Sequence, residues 1–93
     1  MATLTPKEIR AELGTIPAWI RKGKTIVRAF EFKDFAAAIK FVNSIARLAE
    51  KADHHPDIDI RWNKVTMALT THYLGGLTAK DFDLARKIDR KAA

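Results

Sequence analysis

The chain has 93 residues, 17 Lys plus Arg against 11 Asp plus Glu for a formal charge of +6, and 47% hydrophobic content, which describes one small globular domain with a thin core that self-association would supplement. It contains no cysteine, which excludes disulfides, thiolate metal sites and a cysteine nucleophile. Its longest apolar runs, such as Phe35 to Ile39, fall far short of the ~20 residues that cross a bilayer, and Met1 to Arg10 lacks the apolar stretch of a secretory signal, so the expectation is a cytoplasmic protein with no membrane partner.

Thr5-Pro6-Lys7-Glu8 places an N-cap Thr, a Pro at the first helical position and a Glu three residues after the cap, which predicts a short helix to about Leu13 that Gly14 ends. Trp19-Ile20-Arg21 reads as a strand entering a turn at Lys22-Gly23, and Thr25 to Phe32, rich in β-branched and aromatic residues, is the second arm of a hairpin. Asp34 is the N-cap of a long helix whose apolar stripe is Phe35, Ile39, Val42, Ala46, Ala49 and Ala52, widened by Ile45 and Leu48. Pro56 requires that helix to finish near Asp53 to His55. Ile58, Ile60 and Trp62 alternate with polar residues, and after Asn63-Lys64 so do Val65, Met67 and Leu69, giving a second hairpin whose last strand runs out at Thr71-His72. Thr78 and Asp81 are spaced as a capping box for a final helix through Ile88.

This order, α-β-β-α-β-β-α, predicts an α+β fold: a four-stranded antiparallel sheet with helices packed on one face. The uncovered face and the sheet edges are then docking surfaces, and a homodimer or homotetramer is expected. The positive charge does not form one stripe: Arg21, Lys22 and Lys24 lie near one end, Arg86, Lys87, Arg90 and Lys91 at the other, with Glu50, Asp53, Asp57 and Asp59 between them. That distribution describes solvated faces rather than a nucleic-acid site.

The chain's three histidines are His54, His55 and His72, and Glu50 stands one helical turn before His54, on the same helix face by spacing. Taken singly, each histidine is accounted for as a helix or strand terminus. If the second hairpin folds back to the exit of the long helix, they meet, and imidazoles that donate a proton in one form and accept it in the other suit acid/base chemistry. Zinc held by the histidines with Glu50 or Asp81 has suitable ligand types but no spacing of the H-E-x-x-H kind, so no metal is expected. Ser44, the only serine, falls mid-helix without a base beside it. Trp62 is in phase with Ile58 and Ile60 and reads as core packing, with an aromatic wall for a flat ligand as the alternative. Asp81 is either half of a cap or a site acid, and Gly75-Gly76 are weak candidates as backbone donors to an anion.

The run Glu50-Lys51-Ala52-Asp53-His54-His55-Pro56, with Trp62, His72 and Asp81 following at fixed separations, resembles the signature of the pterin-4a-carbinolamine dehydratases. Asn63-Lys64-Val65 and the stretch from Thr71-His72 to Gly76-Leu77 are also similar to that family, and the motif covers about a third of the chain. The resemblance implies dehydration of 4a-hydroxytetrahydropterin to quinonoid dihydropterin, with no metal or organic cofactor, in the service of an aromatic amino acid hydroxylase. It implies His54 and His72 as general acid and base and His55 as an orienting group. Glu50 and Asp81 would tune or orient the imidazoles. Pro56 and Trp62 fall among the substrate-binding positions, and Thr71 and the backbone near Tyr73 would meet the pyrimidinone edge. Animal members of the family also act as dimerisation partners of a homeodomain transcription factor, so a non-enzymatic protein-binding or dimerisation module is the alternative.

Overall fold

Thr5 starts the first helix, α1 (Pro6–Leu13), with a reciprocal cap: the Glu8 amide donates to Thr5 Oγ1 at 3.2 Å and the Thr5 amide donates to Glu8 Oε1 at 2.8 Å. The computed structural model describes residues 2–93; Met1, the first position of the Met1 to Arg10 stretch considered above, lies outside the described residues. Two hairpins follow the helix, β1 (Ile20–Lys22) with β2 (Thr25–Glu31) and β3 (Asp57–Arg61) with β4 (Lys64–Leu69). Between them lies the long helix α2 (Phe35–Ala52), and α3 (Ala79–Ala92) closes the chain. The strands form one antiparallel sheet in the order β1-β2-β4-β3, so the second arms of the two hairpins pair at its centre. Among the described residues no helix is long and apolar enough to cross a membrane.

The alternation along the central strands decides which face is buried. Ile26 and Phe30 of β2 and Val65, Met67 and Leu69 of β4 are buried beneath the helices, together with Phe82, Leu84 and Ile88 of α3. Each such side chain contributes roughly 1.5–3 kcal/mol by leaving water. Thr66, Ala68 and Thr70 stay half-buried on the opposite face.

Five expectations need correction. Ile45 and Ala49 of the expected α2 stripe are buried and Val42, Leu48 and Ala52 pack against the core, but Ala46 is exposed, Phe35 is 50% exposed, and Ala38 and Phe41 complete the buried row instead. The apolar arc of this helix is wider than one contact face, and the sheet takes the side holding Phe41, whose ring packs 5.0 Å from Phe30 and 4.9 Å from Phe32. Trp62 does not pack in the core: it occupies the first position of the two-residue turn joining β3 to β4, has φ 51° and is 65% exposed. Trp19 precedes β1 rather than opening it, because its indole is drawn to α3, where Nε1 donates to Asp89 Oδ1 at 2.7 Å. The last strand stops at Leu69, short of Thr71-His72, and α3 continues a turn past Ile88.

Candidate active site

At the exit of α2 the chain makes a Schellman closure. The amide of Asp53 donates to Glu50 O at 3.2 Å, that of His54 donates to Ala49 O at 3.1 Å, and Asp53 takes the left-handed conformation, φ 50° and ψ 44°. Asp is among the few residues that enter this region at modest cost. The reversal separates two neighbours: His54 is 9% exposed and turned into the molecule, while His55 points out. Pro56 follows half-buried and prevents the helix from resuming.

The start of α3 approaches the same place. Thr78 and Asp81 form the expected capping box, in which the Thr78 amide donates to Asp81 Oδ2 at 2.9 Å. The same carboxylate has two further tasks. Oδ2 accepts from Thr71 Oγ1 at 2.9 Å, and Oδ1 lies 2.6 Å from His54 Nε2. The Thr71 and Thr78 hydroxyls are 2.8 Å apart. Thr71, Thr78 and Asp81 are all fully buried. Asp81 is thus both a helix cap and the partner of a site histidine, the two readings that its spacing left open.

Beyond β4, Thr71 bridges to Gly76, and the loop between them holds one turn of 3-10 helix, His72–Leu74, closed by Gly75 at φ 70°. That turn carries His72 and Tyr73 to the surface facing the α2 exit. A cleft of about 200 Å³ results, lined by Asp53, His54, His55, Thr70, His72 and Tyr73. All three histidines of the chain meet there.

The remaining candidates fall outside the lining. Glu50 pairs with His55 Nε2 rather than with His54, because the left-handed residue at Asp53 interrupts the helical spacing before His54 is reached. Thr71 stands behind the cleft with its hydroxyl engaged, so its side chain does not reach a ligand. Trp62 sits at the opposite end of β3 from the cleft. Asp53, Thr70 and Thr78 were not singled out as site residues in the sequence. Among the described residues no three His, Asp or Glu side chains are grouped to hold a metal ion.

Comparison with known proteins bears on this geometry. The sequence profile described as "Pterin 4 alpha carbinolamine dehydratase" matches residues 2–91. The chain belongs to that family. It is 56% identical over 89 residues to a protein of Acidobacterium capsulatum and 57% identical over 90 residues to one of Roseiflexus sp. strain RS-1, covering 96% of this chain and 97% of the relative in both cases. Both relatives carry the name "Putative pterin-4-alpha-carbinolamine dehydratase". A solved Brucella melitensis structure titled as a transcriptional coactivator/pterin dehydratase superposes with a TM-score of 0.93 at 36% identity, covering 98% of this chain and 99% of that one. A second structure, titled as a pterin dehydratase-like RuBisCO assembly factor of the alpha-carboxysome, superposes with a TM-score of 0.70 at 25% identity, covering 82% and 90% of the two chains.

For a pterin-4a-carbinolamine dehydratase family member the chemical content of the cleft lies in its asymmetry. His54 is buried with a carboxylate behind it. The His72 imidazole is exposed, with no hydrogen-bond partner among the described residues, and His55 is exposed beside Glu50. An imidazole donates a proton in one form and accepts it in the other, so a cleft lined by three of them holds the kind of group that acid/base chemistry uses.

Proposed function

We propose that the chain dehydrates 4a-hydroxytetrahydropterin, the 4a-carbinolamine, to quinonoid dihydropterin and so recycles the tetrahydrobiopterin-type cofactor of an aromatic amino acid hydroxylase. The observation carrying this reading is the meeting of His54, His55 and His72 on one cleft in a chain of the dehydratase family. The C4a–O bond breaks, and the hydroxyl departs as water with a proton from one imidazole. The other imidazole takes the N5 proton, and the N5–H electron pair becomes the N5=C4a double bond. His54 and His72 are the acid/base pair, and solvent restores their protons between turnovers. A positioned pair of this kind contributes on the order of 10²–10⁴-fold for each proton transfer. His55, braced by Glu50, and Tyr73 at the rim orient the pterin.

Stopped-flow absorbance of carbinolamine decay tests the reading. Acceleration that His72→Ala reduces by on the order of 10²-fold supports it; decay no faster than in buffer defeats it.

A second reading, a protein-binding or dimerisation module, has one specific observation in its favour. The outer side of α2 leaves Phe35 half-exposed beside Ile39, flanked by Lys40 and Arg47 around a shallow depression. The two solved structures are titled as a coactivator and an assembly factor. On this reading the face joins copies into a homodimer or homotetramer, and Phe35→Lys lowers the sedimentation coefficient while His72→Ala leaves it unchanged.

A further inference from the structure

Resting on the dehydratase reading, we propose that Thr71 and Thr78 are positioning residues whose hydroxyls form a one-way relay that, through Asp81, commits His54 to exchanging protons with the pterin at Nδ1 alone.

The direction of the relay follows from counting protons. A threonine hydroxyl has one hydrogen to give. Thr71 gives its hydrogen to Asp81 Oδ2 at 2.9 Å. In the 2.8 Å contact between the two hydroxyls, Thr78 is therefore the donor and Thr71 the acceptor. Thr78 Oγ1 in turn accepts the Lys80 amide at 3.3 Å. The opposite sense would set a Thr71 lone pair against a carboxylate lone pair at 2.9 Å in a fully buried site, where that repulsion is little screened. Each hydroxyl thus has one role, and the hydrogens run from the Lys80 amide through Thr78 and Thr71 to Asp81.

With the Thr78 amide added, two donors converge on Oδ2. That is the setting of an ionised carboxylate, so the proton in the 2.6 Å contact between Oδ1 and His54 resides on Nε2. A neutral imidazole carries one N–H, which leaves Nδ1 with its lone pair. Nδ1 has no partner among the described residues, yet none of their buried side-chain nitrogens or oxygens is unpaired. The atom therefore opens onto the cleft that His54 lines. Neutral His54 accepts there and protonated His54 donates there; Nε2 stays occupied in both states. His72 has no such anchor, so the fixed member of the pair is His54.

Long-range ¹H–¹⁵N NMR of the His54 ring in the free protein tests the relay without any pterin. The neutral ring of the wild type is expected to carry its proton on Nε2. Thr71→Val, which keeps shape but removes the hydroxyl, is expected to mix the two tautomers and to lower kcat about tenfold with KM within about twofold. Thr71→Ser restores both readings. A wild-type ring protonated on Nδ1 overturns the proposal, and needs no variant to fold. So does a folded Thr71→Val protein with unaltered tautomers. If the wild type proves inactive on carbinolamine, the dehydratase reading fails while the ring spectrum still decides the relay.

Discussion

His54 and Asp81 stand 27 positions apart in the chain, yet Nε2 of one and Oδ1 of the other are 2.6 Å apart, joining the end of α2 to the beginning of α3. Replacing the carboxylate by its amide tests what this contact does. In Asp81→Asn the oxygen is required by the Thr78 amide and the Thr71 hydroxyl, so the new NH₂ faces His54 and forces that ring to accept at Nε2. The imidazole is then in the wrong tautomer toward the cleft. We expect kcat to fall by about 10²-fold or more, as in other enzymes whose histidine is mis-protonated; steady-state assay of folded protein checks it.

His54 and His72, the proposed acid/base pair, differ in how much stability depends on them. The His72 imidazole is exposed and has no hydrogen-bond partner among the described residues, so His72→Ala should leave the urea midpoint unchanged within error while lowering activity by on the order of 10²-fold. His54→Ala leaves Asp81 Oδ1 buried without its donor, which costs about 1–3 kcal/mol. Equal destabilisation by the two substitutions, measured by urea unfolding, would contradict this assignment.

Trp62 provides a control. Its indole is solvated at the tip of the β3–β4 turn, away from the cleft, and its backbone has a positive φ. Trp62→Gly should leave KM within about twofold and change stability by less than about 1 kcal/mol, because relief of the left-handed backbone is offset by the greater freedom of glycine in the unfolded chain. A tenfold rise in KM would return this residue to the site.

Asp89 holds the β1–β2 hairpin to α3. Its Oδ1 accepts from Trp19 Nε1 at 2.7 Å and from Arg28 at 2.6 Å, and the Arg28 guanidinium lies 4.3 Å from the Phe30 ring centroid. Asp89→Ala strands both donors in partly buried positions, and we expect a loss of about 2 kcal/mol in thermal or urea unfolding with kcat retained.

Arg86 ties α1 to α3 through Glu12, Thr15 and Asp83. The hydrogen bond to Asp83, followed by the influence of Glu12, outweighs desolvation and raises its guanidinium above its already strongly basic ordinary value. The stabilisation is fully present below that ordinary value and disappears only in stronger alkali. Arg86→Met should therefore cost about 0.5 kcal/mol, a surface-pair magnitude, by the same amount at pH 6 and pH 9. A cost that changes across that range in urea titrations would show that Arg86 is not acting as a fixed charge.

The elements that sequence made legible are those specified locally. Thr5 with Glu8 and Thr78 with Asp81 announce their helices because a capping box lies within four residues, and Val65, Met67 and Leu69 announce a buried strand face by alternation. Failures occur where a nonlocal partner decides. The choice of Phe41 over Phe35 as the buried edge of α2 depends on Phe30 and Phe32 across the sheet. Helical spacing sets Glu50 beside His54, but that spacing ceases to apply once Asp53 turns left-handed. That Asp81 serves a histidine as well as a cap, and that Thr71 lies behind the cleft rather than in it, depends on the Thr71 to Gly76 bridge, which no short pattern encodes.

The left-handed kink at Asp53 has an implication for how such a site tolerates change. Consecutive side chains after it point to opposite sides of the backbone, so a single reversal hands one imidazole to the interior and its neighbour to water. Their difference in character is set by parity of position. Loss or gain of one residue at this corner would exchange the two rings' surroundings while leaving the pair of letters in the chain unaltered, and a homologue aligned by composition alone would conceal the swap.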